Sequence, residues 1–340
     1  MYVKVIGVNF KTSPVEEREN LFVPADRYPA ALERLKAEYS LPQAVIISTC
    51  NRTEIYVSSQ QDLPECDLIA KFFAEFQGVP AEQFAESTYA FEAQECVKHL
   101  FRVASSLDSM VVGETQITAQ VKEAYRYALK QGHSGKTLNK LFQRSLAVAK
   151  KVRTRTRISE GRVSISSAAV ELAEKVLGRL SGKTVLVVGA GEMAELTLKH
   201  LISRGATRVL VTNRTHEKAI GLAATYGGEA VPMERLCDTV SKSDIVICST
   251  SAAEHLIGRE EVEPCLGTRD NQPIFFIDIA VPRNVDPEVG SLDNVYLHNI
   301  DHLESVVAGN IEERQKEIDE SSGIIEAEVE RFMKWLHRHR

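Results

Sequence analysis

The stretch Thr184-Val185-Leu186-Val187-Val188, followed at once by Gly189-Ala190-Gly191-Glu192-Met193-Ala194, constrains this chain more than any other. A run that is apolar throughout, rather than at alternate positions, suits a strand of a parallel sheet covered by helices on both faces. The GxGxxA that follows leads into a helical run, Glu195–Ser203. In that setting the first glycine permits a tight turn, the second lets a pyrophosphate approach the backbone, and a small residue at 194 lets helix and strand pack. The helix N-terminus also attracts phosphate charge. Gly189, Ala190, Gly191, Glu192, Met193 and Ala194 are therefore expected to hold a dinucleotide, the alternative being a purely structural turn. Arg208–Thr212, Ile245–Ser249 and Ile274–Ile279 repeat the strand pattern with helical segments between them. This alternation predicts a doubly wound, Rossmann-like fold.

The strand after the glycine loop ends in Asn213-Arg214-Thr215. An NAD site carries an acid here for the ribose 2′-hydroxyl. Arg214 instead offers a guanidinium that matches a 2′-phosphate in charge and geometry. NADPH is the expected cofactor, with Asn213 and Arg214 at its adenosine end. The alternative is a solvated surface arginine.

At 340 residues the chain is long enough for about two domains. Its N-terminal part mixes elements: strands at Tyr2–Asn9, Ala44–Ser48 and Glu54–Ser58, with helical spacing in Ala25–Tyr39 and Asp67–Phe76. Such mixed order predicts an α+β domain. From Gln94 to about Arg157 the pattern is helical, interrupted near Ser105–Gly113 and Gly132–Lys136. Beyond Ile300 the chain turns helical and charged, and Ile318, Ile325, Val329, Phe332 and Leu336 leave a narrow apolar stripe. A helix with so polar a surface bridges domains or awaits a partner. The expected organisation is an α+β domain over 1–157, a Rossmann-like domain over 158–299, and one long helix over 300–340.

No apolar run is long enough to span a bilayer, and the N-terminus lacks the regions of a signal peptide. Six cysteines without a CxxC pair suggest neither disulfides nor zinc, and a cytoplasmic location is expected. No metal is expected, since the histidines lack ligand spacing. Cys66, Cys96, Cys237, Cys248 and Cys265 read as small buried hydrophobes. Cys50 differs, because Ser48-Thr49-Cys50-Asn51-Arg52-Thr53 is a polar connection between two apolar runs. A cation two residues away favours the thiolate, which is the nucleophilic form. A cysteine nucleophile beside a nicotinamide suggests acyl capture as a thioester, followed by hydride reduction to an aldehyde.

Five segments resemble the glutamyl-tRNA reductase family: 7–15 (GVNFKTSPV), 48–56 (STCNRTEIY), 107–117 (LDSMVVGETQI) with Gln120, 189–194, and 278–283 (DIAVPR). The resemblance runs in order across about residues 1–335. It implies NADPH-dependent reduction of glutamyl-tRNA(Glu) to glutamate-1-semialdehyde, the first step of tetrapyrrole synthesis by the C5 pathway. It places the nucleophile on Cys50 and substrate contacts on Thr49, Asn51, Arg52, Ser109, Glu114, Thr115, Gln116 and Gln120. Arg52 is expected to fork onto the γ-carboxylate, and Glu114 to take the α-ammonium, with Ser109 or Gln116 adding neutral hydrogen bonds. Read alone, residues 108–116 are only a turn and a helix cap. His99 falls on a position linked to activity, as general acid or base for the leaving ribose oxygen; a structural histidine is the alternative.

The basic run Lys150, Lys151, Arg153, Arg155, Arg157 either contacts tRNA phosphates or is a solvated face. The net charge of −6 disfavours a protein devoted mainly to nucleic acid without forbidding a local basic surface. Family members form homodimers through a further C-terminal domain, whereas this chain stops at Arg340, so its dimerisation is in question. An aminomutase is the expected recipient of the product. Two other readings compete: a shikimate-dehydrogenase-like NADP oxidoreductase, which does not need Cys50, and a non-enzymatic dinucleotide- or tRNA-binding module.

Overall fold

β-Branched and aliphatic residues crowd the first strands, and both faces of the sheet they form are buried. The computed structural model describes residues 2–60, 63, 66–80, 87–110, 112–114, 116–158, 165–269, 272–308 and 315–338. It divides into two units, Met1–Arg162 with Ala308–Arg340, and Val163–Val307.

The first unit runs β1 (Tyr2–Asn9), α1 (Val15–Leu21), α2 (Tyr28–Tyr39), β2 (Ala44–Ser48), β3 (Arg52–Ser59), α3 (Cys66–Gln77), β4 (Tyr89–Glu92), α4 (Ala93–Ala104), α5 (Gln116–Lys130) and α6 (Lys136–Arg155). The strands form one sheet in the order β2-β3-β1-β4, with antiparallel pairing throughout. Side chains alternate across a strand, so β3 serves two cores. Ile55 and Val57 pack with Leu32 and Leu35 of α2 and Phe72 of α3. On the opposite face Tyr56 packs with Leu100 of α4, Val121 of α5 and Phe142 of α6.

The second unit runs α7 (Ile165–Leu177), β5 (Thr184–Val188), α8 (Glu192–Ser203), β6 (Arg208–Thr212), α9 (His216–Thr225), β7 (Glu229–Ala230), α10 (Leu236–Val240), β8 (Ile245–Cys248), α11 (Arg259–Leu266), β9 (Ile274–Asp278), β10 (Val295–Asn299) and α12 (Ile300–Ala308). Its six strands are all parallel, in the order β10-β9-β8-β5-β6-β7. The order reverses between β5 and β8, and the crevice at such a reversal is where open α/β sheets bind ligands. The doubly wound fold expected from sequence is present.

At the charged end of the chain the described residues form α12 and α13 (Gln315–Arg338), residues 309–314 lying outside the described residues. α13 belongs to the first unit. Its stripe Ile325, Val329, Phe332 and Leu336 is buried in the same core as α4 and α6.

Candidate functional site

A three-residue connection joins β2 to β3 and carries Cys50. The Thr49 backbone N–H donates to the Arg52 carbonyl at 2.8 Å, and Thr49 Oγ1 accepts from the backbone N–H groups of Asn51 and Arg52, each at 3.2 Å. A threonine that satisfies its own turn in this way fixes a tight hairpin tip. Cys50 stands at the tip, half-buried. The buried Arg18 of α1 donates from Nε to the Cys50 carbonyl at 3.2 Å, which anchors the tip to the rest of the unit.

The Arg52 side chain points into the sheet's helical face and is fully buried. Nη1 donates to Glu54 Oε1 at 2.7 Å and to Asp108 Oδ2 at 3.2 Å. Nη2 donates to Asp108 Oδ2 at 3.2 Å and to the Asp108 carbonyl. The guanidinium is therefore already clamped, and the expected fork onto a substrate carboxylate needs correction: only Nε is left without a partner. Lys11 Nζ pairs with the other carboxylate oxygen of Asp108, Oδ1.

Glu54 is the hub of this network. Its Oε1 also takes the Tyr89 hydroxyl and meets His99 Nε2 at 2.9 Å, while Oε2 accepts from the Tyr56 hydroxyl at 2.7 Å. Burial by itself raises the Glu54 pKa; the charge of Arg52, followed by His99 and the hydrogen bonds, outweighs it and holds the carboxyl well below its usual range. Burial likewise opposes ionisation of Asp108, yet Arg52 and Lys11 bring it below the ordinary aspartate value. The Tyr56 and Tyr89 phenols are pushed far up by burial and then by Glu54. His99 on α4 is thus held by Glu54 and by the rings of Tyr89 and Phe91, 5.3 and 5.0 Å away.

Among the described residues of the first unit, Asn51 Oδ1, Arg52 Nε, Ser105 Oγ and Ser109 Oγ are buried polar atoms without a partner. An unmet buried polar atom costs about 1–3 kcal/mol, so atoms left unmet beside Cys50 and Asp108 suggest a place for a polar ligand. Thr49 and Gln120 both line a cavity of about 310 Å³, together with Tyr28, Glu123 and Tyr127. Glu114 and Gln116 lie at the entrance to α5. Thr115 lies outside the described residues. Cys96 and Cys248 are buried as expected, whereas Cys237 is exposed, because it occupies the outer side of the short α10. The Cys66 side chain is outside the described residues. Within the basic run, Lys151 pairs with Glu328 of α13 at 2.8 Å, and Arg144 pairs with the same carboxylate. Lys150, Arg153 and Arg155 remain exposed.

In the second unit a cavity of about 560 Å³ opens beyond β5, within the range of small-molecule sites. Gly189, Ala190, Gly191, Asn213 and Arg214 line it as expected, joined by Thr215, Lys218 and Ser249–Ala252. Gly189 has φ +105°, and a Cβ there would lie 2.3 Å from the Ser249 carbonyl oxygen, so only glycine fits. The Asn213 side chain accepts from the Thr215 N–H at 3.0 Å and shapes the loop bearing Arg214. Glu192, Met193 and Ala194 do not line the cavity; they form the first turn of α8, where Ala194 is fully buried. A glycine cradle at a helix start, in a cavity also lined by Arg214 and Lys218, suits a nicotinamide dinucleotide. Among the described residues no cluster of ligating side chains suits a metal ion, and no helix is long and apolar enough to cross a membrane.

Sequence reasoning gave no role to Glu54, Tyr89, Lys218 or the Ser249–Ala252 wall, and read Asp108 only as a helix cap. Arg52, Glu54 and Tyr56 recur at period two on one strand, which was the available signal that a polar network occupies one buried sheet face.

Residues 6–156 match the family model described as glutamyl-tRNAGlu reductase, N-terminal domain, and residues 171–306 match that of shikimate / quinate 5-dehydrogenase. The chain is 44% identical to the glutamyl-tRNA reductase of Geobacter sulfurreducens, over 99% of this chain and 77% of that protein. It is 47% identical to that of Thermodesulfovibrio yellowstonii, over 99% of this chain and 80% of the other. Among solved structures, the glutamyl-tRNA reductase from Methanopyrus kandleri matches with a TM-score of 0.53 and 39% identity, covering 99% of this chain and 80% of that one.

Proposed function

The chain belongs to the glutamyl-tRNA reductase family, and from that premise we propose how its residues divide the work. The family reaction is reduction of glutamyl-tRNA(Glu) to glutamate-1-semialdehyde with a nicotinamide cofactor, the first step of tetrapyrrole synthesis by the C5 pathway. The shikimate-dehydrogenase-like alternative accounts for residues 171–306 alone, whereas the reductase relatives account for nearly the whole chain.

In the proposed mechanism the Cys50 thiolate attacks the glutamyl ester carbonyl. A C–S bond forms, the C–O bond to the terminal ribose breaks, and the leaving oxygen takes a proton. His99, its Nε2 engaged by Glu54, supplies that proton from its other ring nitrogen. The residues of the second unit's cavity would hold a reduced nicotinamide, which would supply the hydride for the thioester; the Cys50 sulfur would then leave as thiolate and the aldehyde be released. Arg52 Nε and Ser109 Oγ donate to the glutamyl carboxylate, while Asn51 Oδ1 and Glu114 receive the α-ammonium. Thr49 and Gln120 shape the adjoining cavity, and Gln116 opens α5; Thr115 is the further proposed substrate contact. The observation that carries this reading is that Asn51 Oδ1 and Arg52 Nε, one and two residues after the nucleophile, are buried with no partner among the described residues. Arg214 and Lys218 support NADPH as the cofactor through its 2′-phosphate. Residues 1–157 are the proposed catalytic region and 158–299 the NADP-binding region. A second copy of the chain and an aminomutase receiving the semialdehyde are the proposed protein partners, to be tested by light scattering and co-sedimentation.

The decisive experiment incubates the protein with glutamyl-tRNA(Glu) with and without NADPH. Semialdehyde is expected with NADPH. Without it, mass spectrometry is expected to find glutamate attached to Cys50, and free glutamate to accumulate by hydrolysis. Turnover that survives Cys50→Ser overturns the mechanism.

A further inference from the structure

The glycine loop of the cofactor cavity is only as well placed as the strand end it leans on. The Ser249 carbonyl oxygen sits where a Cβ on residue 189 would be, and Ser249 Oγ lies 3.1 Å from the Cβ position of residue 191. Thr250 Cγ2 is 2.9 Å from the same Gly189 position. A shift of the Ser249–Ala252 segment by a fraction of an ångström therefore either closes on this loop or releases it.

This segment follows β8, beyond the last ladder pair Cys248 with Asp278 of β9. Just past that pair the Ile279 N–H still donates to the Cys248 carbonyl at 3.0 Å. The chain after β9 then loops back, and Asn284 Oδ1 accepts the Thr250 N–H at 2.9 Å. The Asn284 carbonyl also accepts from Leu256 N at 2.7 Å and Ile257 N at 3.1 Å. Asn284 is fully buried. It is held in turn by Asp278, whose Oδ2 accepts from Asn284 N and Val285 N, each at 2.8 Å, and whose Oδ1 accepts from Ala280 N at 3.1 Å. Three backbone donors on one buried carboxylate fix the return loop rigidly.

We propose that Asn284, held by Asp278, is a positioning residue that sets the Ser249–Ala252 wall of the cavity in the conformation that admits the nicotinamide cofactor. The inference rests on reading this cavity as the cofactor site. Neither residue lines the cavity, so both act through the Thr250 backbone. Loss of the clamp loosens the wall, and the cofactor must then order it on binding. The loss appears in affinity more than in turnover at saturation.

The test titrates NADPH by its fluorescence into the full-length parent and the variants Asn284→Ala and Asp278→Asn, and then measures reduction of glutamyl-tRNA across NADPH concentrations. Both variants are expected to raise the NADPH dissociation constant and KM about tenfold while kcat changes less than threefold. Hydrogen exchange on the unmodified protein provides a measurement independent of variant folding: the Thr250 amide is expected to be protected before any cofactor is added. An unprotected Thr250 amide, or folded variants that bind NADPH within twofold of the parent, overturns the proposal. A parent protein that binds no NADPH overturns the underlying reading of the cavity instead.

Discussion

Glu54 Oε1 lies 2.9 Å from His99 Nε2, deep in the first unit, and the same oxygen holds Arg52 at 2.7 Å. One carboxylate on β3 thereby ties a histidine of α4 to the strand that follows the Cys50 hairpin. The residue with no assigned role in the sequence reading is the one that connects those that had roles.

Replacing Glu54 by Gln removes the charge that best compensates the buried Arg52. Taking one partner from a buried pair costs about 3–5 kcal/mol. Asp108 remains, so the lower end is expected. Urea unfolding measures it, and a loss below about 1 kcal/mol would show that Asp108 alone suffices.

His99→Asn keeps a hydrogen bond toward Glu54 but cannot exchange a proton. Turnover is expected to fall about 100-fold, within the usual range for a lost general acid. The acylation of Cys50, followed by mass spectrometry under single-turnover conditions, is expected to slow by the same factor. Near-parental rates at every pH would leave His99 a structural residue.

Arg214→Ala is expected to weaken NADPH binding by about 10–100-fold, the worth of a charge-assisted contact to phosphate. Binding of NADH, which lacks the 2′-phosphate, is expected to stay within about threefold by the same reasoning. Fluorescence titration with both cofactors checks the split, and equal losses for the two would place Arg214 away from the 2′ position.

Gly189→Ala puts a Cβ 2.3 Å from the Ser249 carbonyl oxygen at a φ of +105°. Strain of this kind costs about 1–3 kcal/mol. NADPH-dependent reduction is expected to be lost, while NADPH-free hydrolysis of glutamyl-tRNA at Cys50 continues because that chemistry belongs to the first unit. Loss of both activities would show that the two units do not act separately.

Asp278 and Glu54 give opposite pH dependences. Burial, only partly offset by its three backbone donors, lifts Asp278 from 3.8 to about 7; Arg283 and Cys248 are the other titratable groups facing it. Between these values the folded state binds the extra proton, so this group's contribution to stability falls as pH rises. From pH 5 to pH 8 the loss is about 2–3 kcal/mol. Glu54 and Asp108 have folded values below their unfolded ones, so their contribution is present above about pH 4.5 and disappears as pH drops through the folded values. Denaturant titrations at several pH values, compared with Asp278→Asn, are expected to show a flatter profile for the variant between pH 5 and pH 8.

Local pattern determined much of this protein. An unbroken apolar run followed by GxGxxA specified a parallel strand, its turn and its helix, because each requirement is met within about twenty consecutive residues. A polar connection between two β-branched runs likewise made Cys50 distinctive. What the sequence could not decide was which distant groups share a charge. Arg52 is separated from Asp108 by 56 positions, and Glu54 from His99 by 45. Arg52 therefore looked available for substrate, when tertiary packing had buried it and filled its fork. The same holds for Asn284, which meets Thr250 only because β8 and β9 lie side by side. Backbone turns are short-range and legible in order along the chain. Electrostatic pairing in a buried interior depends on which faces the folded layers bring together.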